Sequence, residues 1–352
     1  MLLREMKQMS PGCRFFGLGG PRMEEEGFHS LAPISEISLV GFSEVLPKLG
    51  YFLKLLNRIR ESFLREKPLL VILIDYPGLN LKIARIAKQC GIPVLYYIAP
   101  QVWAWGRRRM AKLRKYTDRV AVIMPFEAEY FRRFGLPVDY VGHPIMEALL
   151  VKSDRESFLK SVGITNGTSV LGVLPGIRTN EVRNLLPPFL KIAEALTSQQ
   201  PDVEVVVSMP HDAGVTLPGF IRTYRGGSHS LIAHSSCVLL KSGTTSLEAA
   251  LLGTPMVVCY RLSRVNYALA RTFIRTKYIS LVNLIADSPL VPELIQREVN
   301  AKRILPLLRA LLDRENPRRK SMVESFHLVR EKLGRHRTSA EVAEIAFSMM
   351  RA

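Results

Sequence analysis

The chain has 352 residues, of which 47% are apolar and 23% charged, close to globular averages; this excludes a disordered, collagen-like or disulfide-scaffold protein. That length exceeds what one hydrophobic core usually supports, so two domains of comparable size are expected. Lys and Arg outnumber Asp and Glu by 49 to 31, a net charge of +18, which points to anionic partners: nucleic acid, an acidic lipid surface or phosphorylated substrates.

No apolar run approaches the ~18 residues of a membrane span, and the opening MLLREMKQMSPG lacks the apolar stretch of a signal peptide, so the chain is read as cytoplasmic. Cys13, Cys90, Cys237 and Cys259 lie far apart without a CxxC pair, and are read as reduced core thiols rather than zinc ligands or disulfides.

In chain order, Leu2–Met9 reads as a helix end, Ser10-Pro11-Gly12 as its stop, and Arg14–Leu18 as a strand. Leu46, Leu49, Phe52, Leu53, Leu56, Ile59 and Phe63 then recur at three- and four-residue spacing, interleaved with Lys48, Lys54, Arg58, Arg60, Arg65 and Lys67. Such a basic amphipathic helix either packs its stripe on a sheet or holds anionic lipid. Strands are expected at Leu69–Ile74, Val94–Ile98, Arg119–Ile123 and Val138–Val141, with helices at Leu79–Cys90 and Glu127–Phe134 between them. Ile145–Arg155 is a candidate hinge. The pattern restarts with strands Val170–Leu174, Val203–Ser208, Cys237–Lys241 and Met256–Cys259, and from Asn300 onward the chain reads as helical and strongly basic. Short apolar runs alternating with helices indicate an α/β chain of two Rossmann-like domains facing across a cleft, with ligands at the carboxyl ends of the strands. The boundaries expected are 1–148, 149–315 and a basic helical tail, 316–352, that packs back on the first domain or on a partner subunit.

Chemistry-bearing residues should therefore follow strands. Asp75, after Leu69–Ile74, is placed either as a general base for a substrate hydroxyl, its pKa raised by burial, or as a cap for the following helix. Pro175-Gly176-Ile177-Arg178-Thr179-Asn180-Glu181 is a strand–turn–helix whose amide groups can receive a phosphate, with Arg178 adding a cationic fork. Ser242-Gly243-Thr244-Thr245-Ser246-Leu247-Glu248 is a second such turn, with Glu248 placed to take ribose hydroxyls. Together the two favour a nucleotide-diphosphate site. His143, in Gly142-His143-Pro144, either binds phosphate or orients substrate, or is a structural hydrogen-bonder. The loop holding Trp103 and Trp105 with Arg107–Arg109 suits a base or sugar ring, or simply packs onto the sheet.

Taken in order, these motifs resemble the lipid-A-disaccharide synthases. The match is carried by Gly19-Gly20-Pro21-Arg22-Met23-Glu24, Val40-Gly41-Phe42, Ile74-Asp75-Tyr76-Pro77, Val102-Trp103-Ala104-Trp105, Pro125-Phe126-Glu127 and Val141-Gly142-His143-Pro144. It continues with Leu174-Pro175-Gly176, Ser242-Gly243-Thr244 and Ser280-Leu281-Val282-Asn283-Leu284 followed by Glu293 and Gln296. The resemblance implies the two-domain GT-B type of glycosyltransferase, with the donor held mainly by the C-terminal domain and no metal or other cofactor. It also implies that Asp75 is the general base, that Arg178 lies near the donor diphosphate, and that Gly176, Glu181, Ser242, Gly243, Thr244, Glu248, Asn283, Glu293 and Gln296 belong to UDP-sugar-binding motifs. Leu49, Phe52, Leu53 and Leu56 fall in a region associated with membrane contact.

The implied reaction is inverting transfer of 2,3-diacylglucosamine from UDP to the 6-hydroxyl of 2,3-diacylglucosamine 1-phosphate (lipid X). UDP-2,3-diacylglucosamine, lipid X and the anionic inner face of the inner membrane are the expected partners; nucleic acid is not, and a homodimer is left open. The rivals are a related UDP-GlcNAc transferase acting on another lipid acceptor and a catalytically dead lipid- or nucleotide-binding relative. Pro77-Gly78-Leu79-Asn80 lacks the second aspartate of the family's PDFN-like turn, and Gly176-Ile177-Arg178 lacks the hydroxyl of its GSR. The family's first strand and Gly-rich SGD loop have no counterpart here, so the N-terminal domain is expected to lack its first strand and the natural reading frame to begin further upstream.

Overall fold

The computed structural model describes residues 1–33, 49–103, 107–209, 215, 217–263, 267 and 276–351, and divides into two compact units: Met1–Glu147 with Arg335–Ala352, and Ala148–Gly334. The expected tail 316–352 is thus shared: helix Pro317–Leu333 belongs to the second unit and helix Thr338–Arg351 to the first.

The first unit holds a parallel pair, β1 (Phe15–Gly19) and β2 (Phe28–Pro33), and a four-stranded parallel sheet in the order β3 (Val71–Ile74), β4 (Val94–Tyr97), β5 (Arg119–Val122), β6 (Val138–Tyr140). All four residues of β4 are buried, as expected of a central parallel strand covered on both faces. Among the described residues β1 pairs only with β2, and β3 only with β4. Helix Leu49–Glu66 sends Phe52, Leu55, Ile59 and Phe63 into the core, so the stripe is chiefly a packing face. This corrects the membrane placement of Phe52; Leu56 is half-buried against the same core, Leu53 is exposed, and the side chain of Leu49 lies outside the described residues. Helix Leu2–Met9 packs on Thr338–Arg351 within the unit.

The second unit carries six parallel strands in the order β12 (Glu293–Ile295), β11 (Met256–Tyr260), β10 (Cys237–Lys241), β7 (Ser169–Leu174), β8 (Val203–Ser208), β9 (Ile221–Tyr224). Strand order runs outward from β7 in one direction and from β10 in the other, so the topological switch point lies between these two neighbours. Their carboxyl ends are where such sheets take ligands.

The basic tail has a structural use. Arg330 donates to the Leu251 carbonyl and Lys332 to that of Ala286 at 2.7 Å, each at the C-terminal end of a helix, where orphan carbonyls and the dipole favour a cation. Arg319 likewise reaches the Ser236 and Leu311 carbonyls. Of the cysteines, Cys237 and Cys259 are buried, while Cys13 and Cys90 are only half-buried.

Candidate functional site

In the first unit the polar groups gather at the carboxyl ends of the four-stranded sheet. Asp75 follows β3 with φ +49°, and Tyr76 follows with φ +42°. Two consecutive non-glycine residues in the left-handed region are strained, on the order of 1–3 kcal/mol each, and persist only where neighbours enforce them. The enforcement is visible: the Asp75 carbonyl accepts from Asn80 Nδ2 at 2.7 Å and from the Tyr96 hydroxyl at 2.7 Å, while the Asp75 amide donates to the Tyr97 carbonyl at 3.0 Å. Helix Pro77–Gln89 begins with Tyr76 at its N-cap and no side-chain cap, so Asp75 does not cap it. The Asp75 side chain is exposed; the burial expected around it is absent from its own unit.

Trp103 donates from Nε1 to Glu127 Oε1 at 2.8 Å and meets the Phe126 ring edge-on at 5.0 Å. Glu127 Oε2 accepts the amides of Met124 (3.1 Å) and Ile123 (3.3 Å), so this carboxylate fills the start of helix Pro125–Arg132. Burial pushes its pKa up to about 7 against the pull of those three donors. Trp105 and the Val40-Gly41-Phe42 motif lie outside the described residues. His143 is buried, and its Nδ1 accepts the Ile145 amide at 3.1 Å; burial pushes its pKa down to about 4, so a phosphate would meet a neutral ring. Gly142, at φ +76°, lets His336 approach so closely that a Cβ would sit 2.4 Å from it.

In the second unit the two predicted turns are neighbours at the switch point, but they differ. After β7, Gly176 has φ +112°, and a Cβ there would lie 2.5 Å from Glu181 Oε2. That oxygen sits 3.3 Å from both the Ile177 and Arg178 amides, and Oε1 pairs with Lys241 Nζ at 3.0 Å. The amides expected to receive phosphate are thus occupied by the helix's own glutamate, the reciprocal of a capping box. Burial raises the Glu181 pKa, but Lys241, the amides and Arg178 outweigh it and hold the group below the usual range. Arg178 itself projects outward, its side chain 83% exposed.

After β10, by contrast, Gly243 stands at the N-cap of the helix that starts at Thr244, no side chain among the described residues caps it, and Thr244 is exposed. Glu248, one turn further in, is buried; the Ser228 hydroxyl donates to Oε2 at 3.3 Å, and His229 Nε2 lies 3.7 Å from Oε1. Burial holds its carboxyl above the usual range, opposed by His229 and Ser228. Ser242 donates to the Ile279 carbonyl at 2.6 Å and so braces the next segment.

Gln296 follows β12 and Glu293 opens it, with Asn283 bonded to Glu293, and the polar atoms of all three bind the chain. Glu293 accepts the Ile279 and Ser280 amides at 2.9 Å each, and Asn283 bonds Glu293 and both backbone groups of Val291. Gln296, at φ +55°, clasps the amide and carbonyl of Leu262. These three shape the loops. The sequence reading missed Lys241, Ser228 and His229; the signal available was the Gly226-Gly227-Ser228-His229 turn, hidden because β9 before it was not recognised as a strand.

A family model described as lipid-A-disaccharide synthetase matches residues 1–347. A lipid-A-disaccharide synthase of Syntrophus aciditrophicus is 37% identical over 359 residues, covering 99% of this chain and 94% of that protein. Among solved structures, the calicheamicin glycosyltransferase CalG4 superposes with TM-score 0.61 at 15% identity, covering 99% of this chain and 94% of that one. The UDP-GlcNAc 2-epimerase of Neisseria meningitidis bound to UDP-GlcNAc gives 0.58 at 12%, covering 93% and 87%. Likeness at that identity establishes the fold, two Rossmann-like domains of GT-B type, whereas the family match spans nearly the whole sequence. The chain belongs to the lipid-A-disaccharide synthetase family and is a glycosyltransferase of lipid A biosynthesis.

Proposed function

We propose that the protein transfers 2,3-diacylglucosamine from UDP to the 6-hydroxyl of 2,3-diacylglucosamine 1-phosphate, releasing UDP. The observation that carries this reading is the uncapped helix start at Ser242–Thr244, with buried Glu248 one turn inside it and exposed Arg178 on the neighbouring turn. Amides and the helix dipole there suit a diphosphate, and Glu248 suits the hydroxyls of a ribose. Arg178 and that helix start stabilise the negative charge that grows on UDP as the glycosidic bond breaks. In the first unit, Asp75 removes the proton of the attacking hydroxyl; its carboxylate is exposed on a backbone held in a strained conformation. A single displacement inverts the anomeric centre, from the α-linked donor to a β product.

Acylated substrates reside in a membrane, and the outward side of helix Leu49–Glu66 presents Leu53 and Leu64 among Lys54, Arg58, Arg60 and Arg65, a composition suited to anionic lipid. Changing Leu53 and Leu64 to Ser should move folded protein from anionic vesicles to the supernatant. Incubating purified protein with the two lipid substrates and weighing the products by mass spectrometry tests the reaction. One β-linked disaccharide per UDP released is expected; no UDP release, or release only with a different acceptor lipid, would overturn the reading.

A further inference from the structure

Glu248 is not the only neighbour of His229. While Nε2 faces the Glu248 carboxylate at 3.7 Å, Nδ1 lies 3.1 Å from the Leu150 amide nitrogen and 3.2 Å from the Leu150 carbonyl oxygen. One ring thus touches the carboxylate proposed for the ribose with one nitrogen and, with the other, the main chain two residues after the second unit begins at Ala148. The rest of helix Ser228–His234 is bound to the same stretch. The Lys152 amide donates to Ser230 Oγ at 3.2 Å, His234 Nε2 meets the Ser153 carbonyl at 2.7 Å, and Arg155 donates to the His234 carbonyl at 2.7 Å.

A neutral imidazole carries one proton, so its two nitrogens cannot both be donors. An acceptor oxygen beside Nε2 favours the Nε2–H tautomer; at 3.7 Å it biases the ring without forming a hydrogen bond. In that tautomer Nδ1 accepts the Leu150 amide. In the other, Nδ1–H donates to the Leu150 carbonyl. The occupancy of Glu248 therefore selects which of two bonds His229 makes to a single residue.

We propose that His229 is a positioning residue that transmits occupancy of the Glu248 carboxylate to the backbone at Leu150. The inference rests on the reading that Glu248 receives the hydroxyls of a sugar nucleotide. When those hydroxyls take both carboxylate oxygens, the bias toward Nε2–H weakens and the share of the Nδ1–H tautomer rises. In that tautomer the Leu150 amide gives up its acceptor, and the segment Leu150–Ser153 changes its hold on helix Ser228–His234. Because linkage is reciprocal, a change at Leu150 also changes affinity at Glu248.

The test uses the full chain labelled with 15N at histidine, titrated with UDP while calorimetry records binding; the His229→Gln spectrum assigns the ring. Saturable binding should move Nδ1 of His229 from the acceptor toward the donor range, and exchange of the Leu150 amide should quicken, by at most about fivefold, the scale of one hydrogen bond. In His229→Gln the Leu150 amide should no longer respond to UDP. In Ser228→Ala, which touches the same carboxylate but not the lead-in segment, it should still respond. If UDP binds and the ring nitrogens stay unmoved, the inference is overturned while the nucleotide reading stands. Absence of saturable UDP binding would remove both.

Discussion

Two adjacent turns of the second unit, Pro175–Glu181 and Ser242–Glu248, share a strand–glycine–helix plan and end in a glutamate, yet among the described residues only the second leaves its helix start open. In the first, the glutamate stands three residues inside the helix, the position from which a side chain folds back on the amides before it, and it does so. In the second it stands five residues inside and cannot reach back, so it meets Ser228 and His229 instead. The first unit repeats the filled arrangement at Glu127, third residue of helix Pro125–Arg132, and the uncapped one at Pro77, beside Asp75. The lesson is positional: an acid at the third helical residue closes an anion site that the same loop without it would offer.

If filled starts are structural and open ones chemical, the largest effect should come from the residue beside the open start of the first unit. Asp75→Asn should lower turnover by about 10²–10⁴, because the amide keeps the size but cannot take a proton, and should leave UDP affinity nearly unchanged. Wild-type turnover would make the strained Asp75–Tyr76 backbone a purely structural feature.

The filled start at Glu127 sharpens the comparison through pH. Its pKa is raised to about 7, so the stability linked to it is complete below about 4.5 and is lost as pH rises through 7. The pKa of His143 is lowered to about 4, so its contribution is complete above about 6.5 and is lost as pH falls through 4. The two slopes oppose one another, each worth about 3 kcal/mol at most. Denaturant unfolding of the wild type should vary little between pH 5 and 6.5, while Glu127→Gln should be visibly less stable at pH 5 than at pH 6.5.

Next in size, Arg178→Ala should weaken UDP binding by about 10- to 100-fold, the scale of a charge-assisted pair, and slow transfer as well. The smallest change should be the most telling: Glu181→Gln keeps an acceptor for the amides but releases Lys241, so UDP should bind about two- to fivefold tighter, in line with a partly exposed ion pair. Weaker binding would mean that Glu181 orients Lys241 for the ligand.

Much of this was legible in advance. The buried apolar runs of β4, β7 and β10 are read without ambiguity because both faces of a parallel strand must be hydrophobic. Three strands escaped for reasons of the same kind: β9 is an edge strand with Arg222 and Thr223 exposed, β12 has three residues, and β2 ends in proline. At the site, the positions of Arg178, Ser242 and Glu248 followed from strand ends. That Glu181 fills its own turn is readable from its spacing, although a carboxylate there also suits ligand binding, and that Asn283, Glu293 and Gln296 bind the backbone depends on long-range geometry no local pattern encodes. Periodicity placed Phe52 and Leu53 in one stripe, whereas 100° of helical turn puts the first in the core and the second in solvent.

Hydrogen–deuterium exchange with and without UDP tests the division between filled and open starts most directly. Protection is expected to be strongest in peptides covering Ser242–Glu248, weaker in Pro175–Glu181, and absent from Asp75–Asn80. Protection centred on Asp75–Asn80, or equal protection at Glu127 and Ser242, would contradict it.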